Sequence, residues 1–208
     1  MRISIRGMVL LVGACIVASS TAWAQQVQSA VRQTPVSIDL AVTYVPERAQ
    51  LAPGNCGCFW LQGGGVDAAV TWRKGLGLAS SFSGSHATNV TSAVDVNKIS
   101  YSAGPRYTYS AWGRPDGAAT KLRYQFFVQG LIGGAHGFDS VYPASSSTTS
   151  SATAFALEAG GGLNYYLTEK FGVRLFKVDY VRTALPNNAD DVQNDLRLAF
   201  GVTYHHHR

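Results

Sequence analysis

The sequence predicts an all-β fold, an eight-stranded antiparallel, up-and-down transmembrane β-barrel preceded by a cleavable signal peptide. Three observations predict it. Apolar and polar residues alternate with a period of two along most of the chain after residue 35, as in strands with two different faces. Most of these stretches have about 10 residues or more, the length of a tilted strand that crosses a bilayer. The connections between them alternate between long and short.

The first 24 residues have the pattern of a signal peptide. A basic start is followed by a short apolar stretch (8–18) and by Ala22-Trp23-Ala24, a cleavage site of the A-x-A kind. We therefore assign 1–24 to a signal peptide, 25–35 to a short periplasmic N-terminal segment and 36–208 to the barrel. Two alternatives stay open: an uncleaved N-terminal anchor, and a lipoprotein signal, because VGAC (12–15) is similar to a lipobox.

The charge of the chain indicates no nucleic acid partner. The 17 Lys and Arg residues exceed the 12 Asp and Glu residues, which gives a net charge of +5. Cleavage after Ala24 removes Arg2 and Arg6 and lowers this charge to +3. The remaining basic residues form no run longer than Arg73-Lys74, whereas nucleic acid binding needs a concentrated positive patch.

Eight stretches alternate strongly enough to be predicted as strands. The long connections follow the first, third, fifth and seventh of them and are rich in Ser, Thr, Asn, Asp, Pro and Gly, as solvated loops are. Long loops therefore gather at one end of the barrel and short turns at the other, as in barrels with extracellular loops and periplasmic turns. The predicted strands are 36–45, 58–72, 76–86, 99–112, 121–136, 153–167, 171–182 and 196–205.

One face of these strands is small and polar, which suits the crowded interior of an eight-stranded barrel. A buried charge needs a partner of opposite sign, so we expect an ion-pair and hydrogen-bond network that plugs the lumen. A narrow, gated pore lined by the same groups is the alternative. Arg106 is expected to meet Glu158 or Asp179. The predicted lumen residues are Asp39, Asp67, Arg106, Arg123, Gln125, Glu158, Arg174, Lys177, Asp179 and Arg197.

Aromatic residues cluster near the strand ends, as in the interfacial girdles of membrane barrels. The main predicted girdle residues are Tyr44, Trp60, Trp72, Tyr101, Tyr109, Trp112, Tyr165 and Tyr204, and the wider set adds Phe59, Tyr166 and Tyr180.

The alternation of apolar and polar residues breaks in two places. An extra residue at 175–176 predicts a β-bulge that keeps Arg174 and Lys177 on one face, and Gly63-Gly64-Gly65 predicts a second bulge.

Few residues point to site chemistry. Cys56 and Cys58 would reach an oxidising compartment, where pairing with each other is the leading hypothesis and soft-metal binding or a redox role the alternative. His86 and His136 lie near the loop end among serines, but no catalytic set can be recognised. We therefore predict no enzyme, no metal and no cofactor, and we treat His205–His207 as a periplasmic tail.

Several motifs mark a resemblance to a known family. GPRYTY (104–109), FVQGLIGG (127–134), AGGGLNYYLT (159–168), RLFKVDY (174–180) and LRLAFGVTY (196–204) resemble those of small eight-stranded outer-membrane β-barrels, including the OmpA-like transmembrane domain. The resemblance covers about 36–208 and implies a bacterial outer-membrane location. It implies contacts with outer-membrane lipid and lipopolysaccharide, insertion by the barrel-assembly machinery and a monomeric state. Many members end on an aromatic residue, whereas this chain continues past Tyr204.

These observations leave three functional hypotheses. The first is a structural or surface-interaction barrel that contributes to envelope integrity and displays loops. The second is a narrow porin-like channel for small solutes or ions. The third is a secreted lipocalin-like ligand-binding barrel, which requires large apolar residues inside and Arg106 outside.

Overall fold

The computed structural model describes residues 36–50, 58–91, 94–113, 121–143, 147–187 and 191–207. These residues form a closed, eight-stranded antiparallel barrel, which confirms the predicted fold class. No helix in the described part of the chain is long and apolar enough to cross a membrane. The predicted signal peptide (1–24), the segment 25–35 and Cys56 lie outside the described residues.

The barrel is built from consecutive antiparallel pairs. Its last strand, β11, pairs with its first, β1, so that no edge is left open. A separate two-stranded sheet, β7–β8, lies within the connection between β6 and β9. The strands are β1 (Ser37–Tyr44), β2 (Glu47–Gln50), β3 (Cys58–Thr71), β4 (Leu76–Thr91), β5 (Val94–Gly113), β6 (Lys121–Phe138), β7 (Tyr142–Pro143), β8 (Thr148–Thr149), β9 (Ala152–Tyr166), β10 (Phe171–Thr183) and β11 (Gln193–His207).

β1 and β2 are two halves of one barrel strand. Both pair with β3 and β11 in a single unbroken register. The interruption falls at Pro46, which has no N–H to give to the ladder. Val45 N still donates to Gly63 O at 2.9 Å, and Leu198 N donates to Pro46 O at 2.9 Å, so the sheet stays continuous there.

The short connections lie together at one end, which we call the short-turn end. Between β3 and β4 a single 3₁₀ turn (Arg73–Gly75) reverses the chain, with Lys74 at φ 67° and Gly75 at φ 81°. Between β9 and β10, Thr168 Oγ1 accepts the N–H of Phe171 at 2.9 Å. Ser37 pairs with His207 at this same end, so both ends of the barrel sheet lie there.

The opposite, long-loop end differs most from the prediction between β4 and β5. The segment 87–98 was expected to be a long loop, but β4 continues to Thr91 and β5 begins at Val94. Ala87 pairs with Val96 and Thr91 with Val94, so this hairpin projects beyond its neighbours. The expectation was wrong because the Thr and Val residues of this segment favour strands, although its Asn, Asp and Ser residues are typical of loops.

The strand pairing shows which of the two predicted bulges is present. Pairing shifts on either side of Leu175–Phe176, and both side chains are exposed while Arg174 and Lys177 are buried, which confirms that bulge. The bulge predicted at Gly63–Gly65 is wrong, because β3 pairs with β4 without a shift. The apparent break arose because Leu61, which is 1% exposed, faces the interior and not the outside.

The two faces of the wall are opposite in character. Large apolar side chains such as Val128, Ile132 and Val202, each about 60% exposed, cover the outside. The buried inward-facing residues are largely charged, hydroxyl or amide side chains. A lipocalin-like barrel has the reverse arrangement, so the buried position of Arg106 overturns that alternative.

Candidate functional site

The candidate site is the lumen, where the structure places nine of the ten predicted residues. Each of the nine is less than 10% exposed: Asp39, Asp67, Arg106, Gln125, Glu158, Arg174, Lys177, Asp179 and Arg197. The side chain of the tenth, Arg123, lies outside the described residues. The alternation of the strands, together with the bulge at Leu175–Phe176, explains the inward direction of these side chains, because each has the parity of its buried neighbours.

The upper cluster, nearest the long-loop end, contains Glu47, Lys98, Asp195, Arg197 and Glu158. Lys98 bonds to Glu47, and its Nζ lies 2.7 Å from Asp195 Oδ2. Arg197 Nε donates to Glu47 Oε2 at 2.8 Å, and its Nη1 donates to Glu158 Oε2 at 3.2 Å. Each cation therefore meets two carboxylates, which offsets the cost of burying its charge.

The middle cluster continues from Glu158 and contains Lys177, Asp67, Asp179 and Arg174. Lys177 Nζ lies 2.9 Å from Asp179 Oδ2, 3.1 Å from Asp67 Oδ1 and 3.3 Å from Glu158 Oε1. Arg174 bonds to Asp67 through Nη1. Glu158 thus joins the upper and middle clusters into one continuous chain of ion pairs.

Glycines in β9 make room for the middle cluster. Gly160 pairs with Asp179 and Gly162 with Lys177 on the neighbouring strand β10. A Cβ at Gly160 would collide with Val178 O and the Asp179 carboxylate, and one at Gly162 would lie 2.8 Å from the Phe127 ring. The run AGGGL therefore lets charged side chains of β10 occupy space beside β9.

The lower cluster, nearer the short-turn end, is mostly uncharged. Asn164 Nδ2 donates to Gln125 Oε1 at 2.8 Å, and Gln125 Nε2 donates to both oxygens of Asp39 at 3.2 Å. The Tyr166 hydroxyl lies 3.2 Å from Asp39 Oδ1, and His205 Nδ1 lies 2.7 Å from the same oxygen. Asp39 is therefore held by an amide, a phenol and an imidazole.

Arg106 has surroundings that the sequence did not predict. Its expected partners, Glu158 and Asp179, bond to Lys177 and Arg197, so that expectation was wrong. The Arg106 guanidinium instead lies 3.6 Å from the centre of the Phe127 ring, a cation–π contact. Among the described residues, its Nε and Nη2 have no hydrogen-bond partner.

Sequence reasoning missed several lumen residues because the strands were drawn too short. Glu47, Lys98 and Asp195 fell in predicted loops, although each continues the inward parity of its strand. His205 was treated as part of a tail, but β11 runs to His207 and places His205 against Asp39. Extending three of the alternations by a few residues predicts Glu47, Lys98 and Asp195 as lumen residues. His205 already lies within the predicted strand 196–205, and its parity alone predicts that it faces the lumen.

Apolar side chains lie above the upper cluster at the long-loop end. One group consists of Ala135, Tyr142, Ala156 and Leu185, of which Tyr142 and Leu185 come from the connections between strands. Burial raises the pKa of the Tyr142 phenol above its ordinary value. The other group consists of Ala49, Leu61 and Ala87, with Phe59 packed against it. We refer to these two groups as the apolar cap.

Comparison with known proteins agrees with this geometry. No family model and no curated protein matches the sequence. Among solved structures, Neisserial surface protein A matches with a TM-score of 0.56 and 13% identity over 81% of this chain and 96% of its own. Ail, the attachment invasion locus protein of Yersinia pestis, matches with a TM-score of 0.53 and 17% identity over 82% and 98%.

The chain has the fold of a small bacterial outer-membrane β-barrel. In barrels with this fold the outward aromatic residues are expected at the two membrane interfaces. Five predicted girdle residues are large and exposed on the outside: Tyr44, Trp60, Trp72, Tyr101 and Tyr109. Tyr180 is also exposed, whereas Tyr165 and Tyr204 are partly exposed and contact Tyr124 and Phe171.

Two members of the wider aromatic set do not face outward. Tyr166 is 2% exposed and belongs to the lower cluster, and Phe59 packs against the apolar cap. Both have the parity of the lumen, so the assignment of these two rings to the girdle was wrong. The side chain of Trp112 lies outside the described residues. Whether an aromatic residue lies in register with the outward-facing residues of its strand therefore predicts its orientation better than its closeness to the strand end does.

The remaining candidate residues of this barrel lie apart from the lumen clusters. His86 Nδ1 lies 2.6 Å from Asn97 Oδ1, and His136 Nδ1 lies 2.7 Å from Thr153 Oγ1. Both pairs stand on the outward face near the long-loop end. Cys58 begins β3 with an exposed side chain, and its disulfide with Cys56 stays a prediction because Cys56 is not described.

Proposed function

We propose that this protein is a monomeric, non-enzymatic outer-membrane barrel that supports envelope integrity and displays loops at the cell surface. One observation carries the proposal: the lumen contains two joined clusters of ion pairs beneath an apolar cap. The described lumen side chains include six carboxylates, five Lys or Arg residues and His205, so their charges nearly balance. We infer that these groups plug the barrel.

The outward face supports residence in the outer membrane. Its apolar band would be in contact with hydrocarbon, and only closed barrels and helices satisfy backbone hydrogen bonds there. With the short turns in the periplasm, the β4–β5 hairpin and the other connections at the long-loop end face the cell surface. Outer-membrane lipid and lipopolysaccharide are then the immediate neighbours, and the barrel-assembly machinery is the partner during insertion.

Planar-bilayer conductance tests the proposed plug. We expect no steady openings from the purified protein, because ions would have to displace paired charges from a narrow interior. Steady openings that Glu158→Ala enlarges would contradict the plug and favour the narrow-channel hypothesis. Lys170→Ala is the control, since its side chain is exposed in the β9–β10 turn and the substitution leaves its backbone hydrogen bond to His205 in place. Heat-dependent gel mobility verifies that each variant is folded.

A further inference from the structure

A cavity of about 470 Å³ opens at the short-turn end, below the ion-paired clusters. Its wall includes Thr71 and Thr108 on the inner side of the barrel and Lys74 in the β3–β4 turn. It also includes Trp72 and Tyr109, whose side chains are exposed on the outer side. The cavity therefore reaches across the rim, from the lumen to the surface that faces lipid.

The inner wall carries hydrogen-bonding groups that have no partner. Thr71 and Thr108 are 7% and 5% exposed, and neither hydroxyl has a hydrogen-bond partner among the described residues. On β5, Arg106 is the next inward-facing residue after Thr108 in the direction away from the short-turn end. Its Nε and Nη2 atoms also have no hydrogen-bond partner among the described residues. A buried donor without an acceptor lowers stability, so the two hydroxyls in the cavity wall indicate that a ligand supplies the acceptor.

The register brings these donors into one row. Thr71 pairs with Gly77, and Gly77 pairs with Arg106, so the three residues are direct neighbours across β3, β4 and β5. Gly77 carries no side chain, so nothing from β4 separates the Thr71 and Arg106 side chains in that row. Thr71 on β3 and Arg106 on β5 thus lie on either side of Gly77, and both side chains face the lumen.

The charge of the cavity selects the kind of ligand. None of the described residues that line it is acidic. Lys74 is exposed at the mouth, where its positive φ sets the turn. Asp39, the carboxylate of the neighbouring lower cluster, already bonds to Gln125 and His205. Hydroxyl donors beside two cations favour an oxyanion, which accepts charge-assisted hydrogen bonds.

We propose that this cavity binds the phosphate headgroup of a phospholipid from the inner leaflet, with Thr71, Thr108 and Lys74 as donors. Arg106 adds positive charge from deeper in the lumen. Trp72 and Tyr109 contact the apolar part of the same lipid on the outer side of the rim. The inner-leaflet source rests on the proposed orientation of the barrel, whereas the oxyanion site rests only on the cavity and its donors.

Titration of the full folded chain in a nonionic detergent tests the proposal. Short-chain phosphatidylglycerol and inorganic phosphate are the two probes, and native mass spectrometry or calorimetry measures binding. We expect one phosphatidylglycerol to bind, and Thr71→Val and Thr108→Val each to weaken it about tenfold through the lost hydrogen bond to a charged group. Thr183→Val is the matched control, because Thr183 is also buried and unpartnered but lies at the long-loop end.

A second pair of variants keeps the test independent of folding. Lys74→Gln should weaken phosphatidylglycerol binding, while Lys170→Gln, in the other short turn, should not. Binding of inorganic phosphate alone, with the same sensitivity to the variants, would retain the oxyanion site and overturn the lipid as its source. Binding of neither probe, or binding that no variant changes, would overturn the site. A conducting lumen would leave all these results unaffected.

Discussion

Lys177 illustrates how single residues share charge in this lumen. Its ammonium group lies within 3.3 Å of three carboxylates, and Arg197 and Lys98 each contact two. Glu47, Asp67 and Glu158 are each shared by two cations, whereas Asp179 and Asp195 each contact one. Removing a single member leaves buried cations without full compensation, which costs more than the intact pair contributes.

Asp67 provides the sharpest test of this sharing. Asp67→Asn keeps the shape of the side chain but removes the charge that Arg174 and Lys177 both contact. We expect the free energy of unfolding to fall by about 3–5 kcal/mol, measured by urea titration in lipid vesicles. Glu169→Gln, exposed in the β9–β10 turn, should change it by no more than about 0.5 kcal/mol. Equal effects would mean that the ion pairs contribute little.

Gly160 tests the space that β9 leaves for the middle cluster. Gly160→Ala places a methyl group against Val178 O and the Asp179 carboxylate, which should cost about 1–3 kcal/mol through overpacking. Gly130→Ala is the matched control, because a Cβ there meets nothing within 4 Å. Urea unfolding of both variants gives the comparison. Similar stabilities would show that β9 and β10 can separate without cost.

At the scale of elements, the sequence alone predicts the strands well and their ends poorly. Alternation identifies each barrel strand because one face must differ from the other. It does not mark where a strand stops, since polar residues suit both an exposed strand and a loop, as in 87–98. Contacts across the lumen between strands that do not pair, such as Arg174 on β10 with Asp67 on β3, depend on barrel geometry and could not be predicted from spacing.

The bulge in β10 is an element whose role can be tested by deletion. Deleting Leu175 leaves Arg174 and Lys177 facing inward, because the two adjacent exposed residues become one. Deleting Val178 instead turns Asp179 outward and Tyr180 inward. We expect the first deletion to fold and the second to fail, as measured by the fraction with heat-dependent gel mobility. The reverse order would contradict the assigned register.

At the scale of the whole molecule, the barrel is organised as layers along its axis. The apolar cap lies at the long-loop end, the ion-paired clusters lie beneath it, and the amide-rich lower cluster and the cavity follow toward the short turns. Charge is thus concentrated inside at the level where the outside is apolar. The wall separates two environments of opposite polarity, which is the requirement for a folded chain within a bilayer.

The apolar outer face and the charged interior together predict how much a charge added to the outer face destabilises the barrel at different depths in the membrane. Val128 lies midway along the outward face of β6, whereas Leu167 lies in the short turn after β9, and each is at least 60% exposed. Val128→Arg should lower the free energy of unfolding in lipid vesicles by about 2–4 kcal/mol, and Leu167→Arg by at most about 1 kcal/mol. In detergent-free aqueous solution a soluble barrel would tolerate arginine equally at both positions, because both side chains would meet water. Equal, small costs in vesicles would therefore argue against a membrane-spanning outer face, while a large cost at Val128 alone would locate the hydrocarbon region along β6.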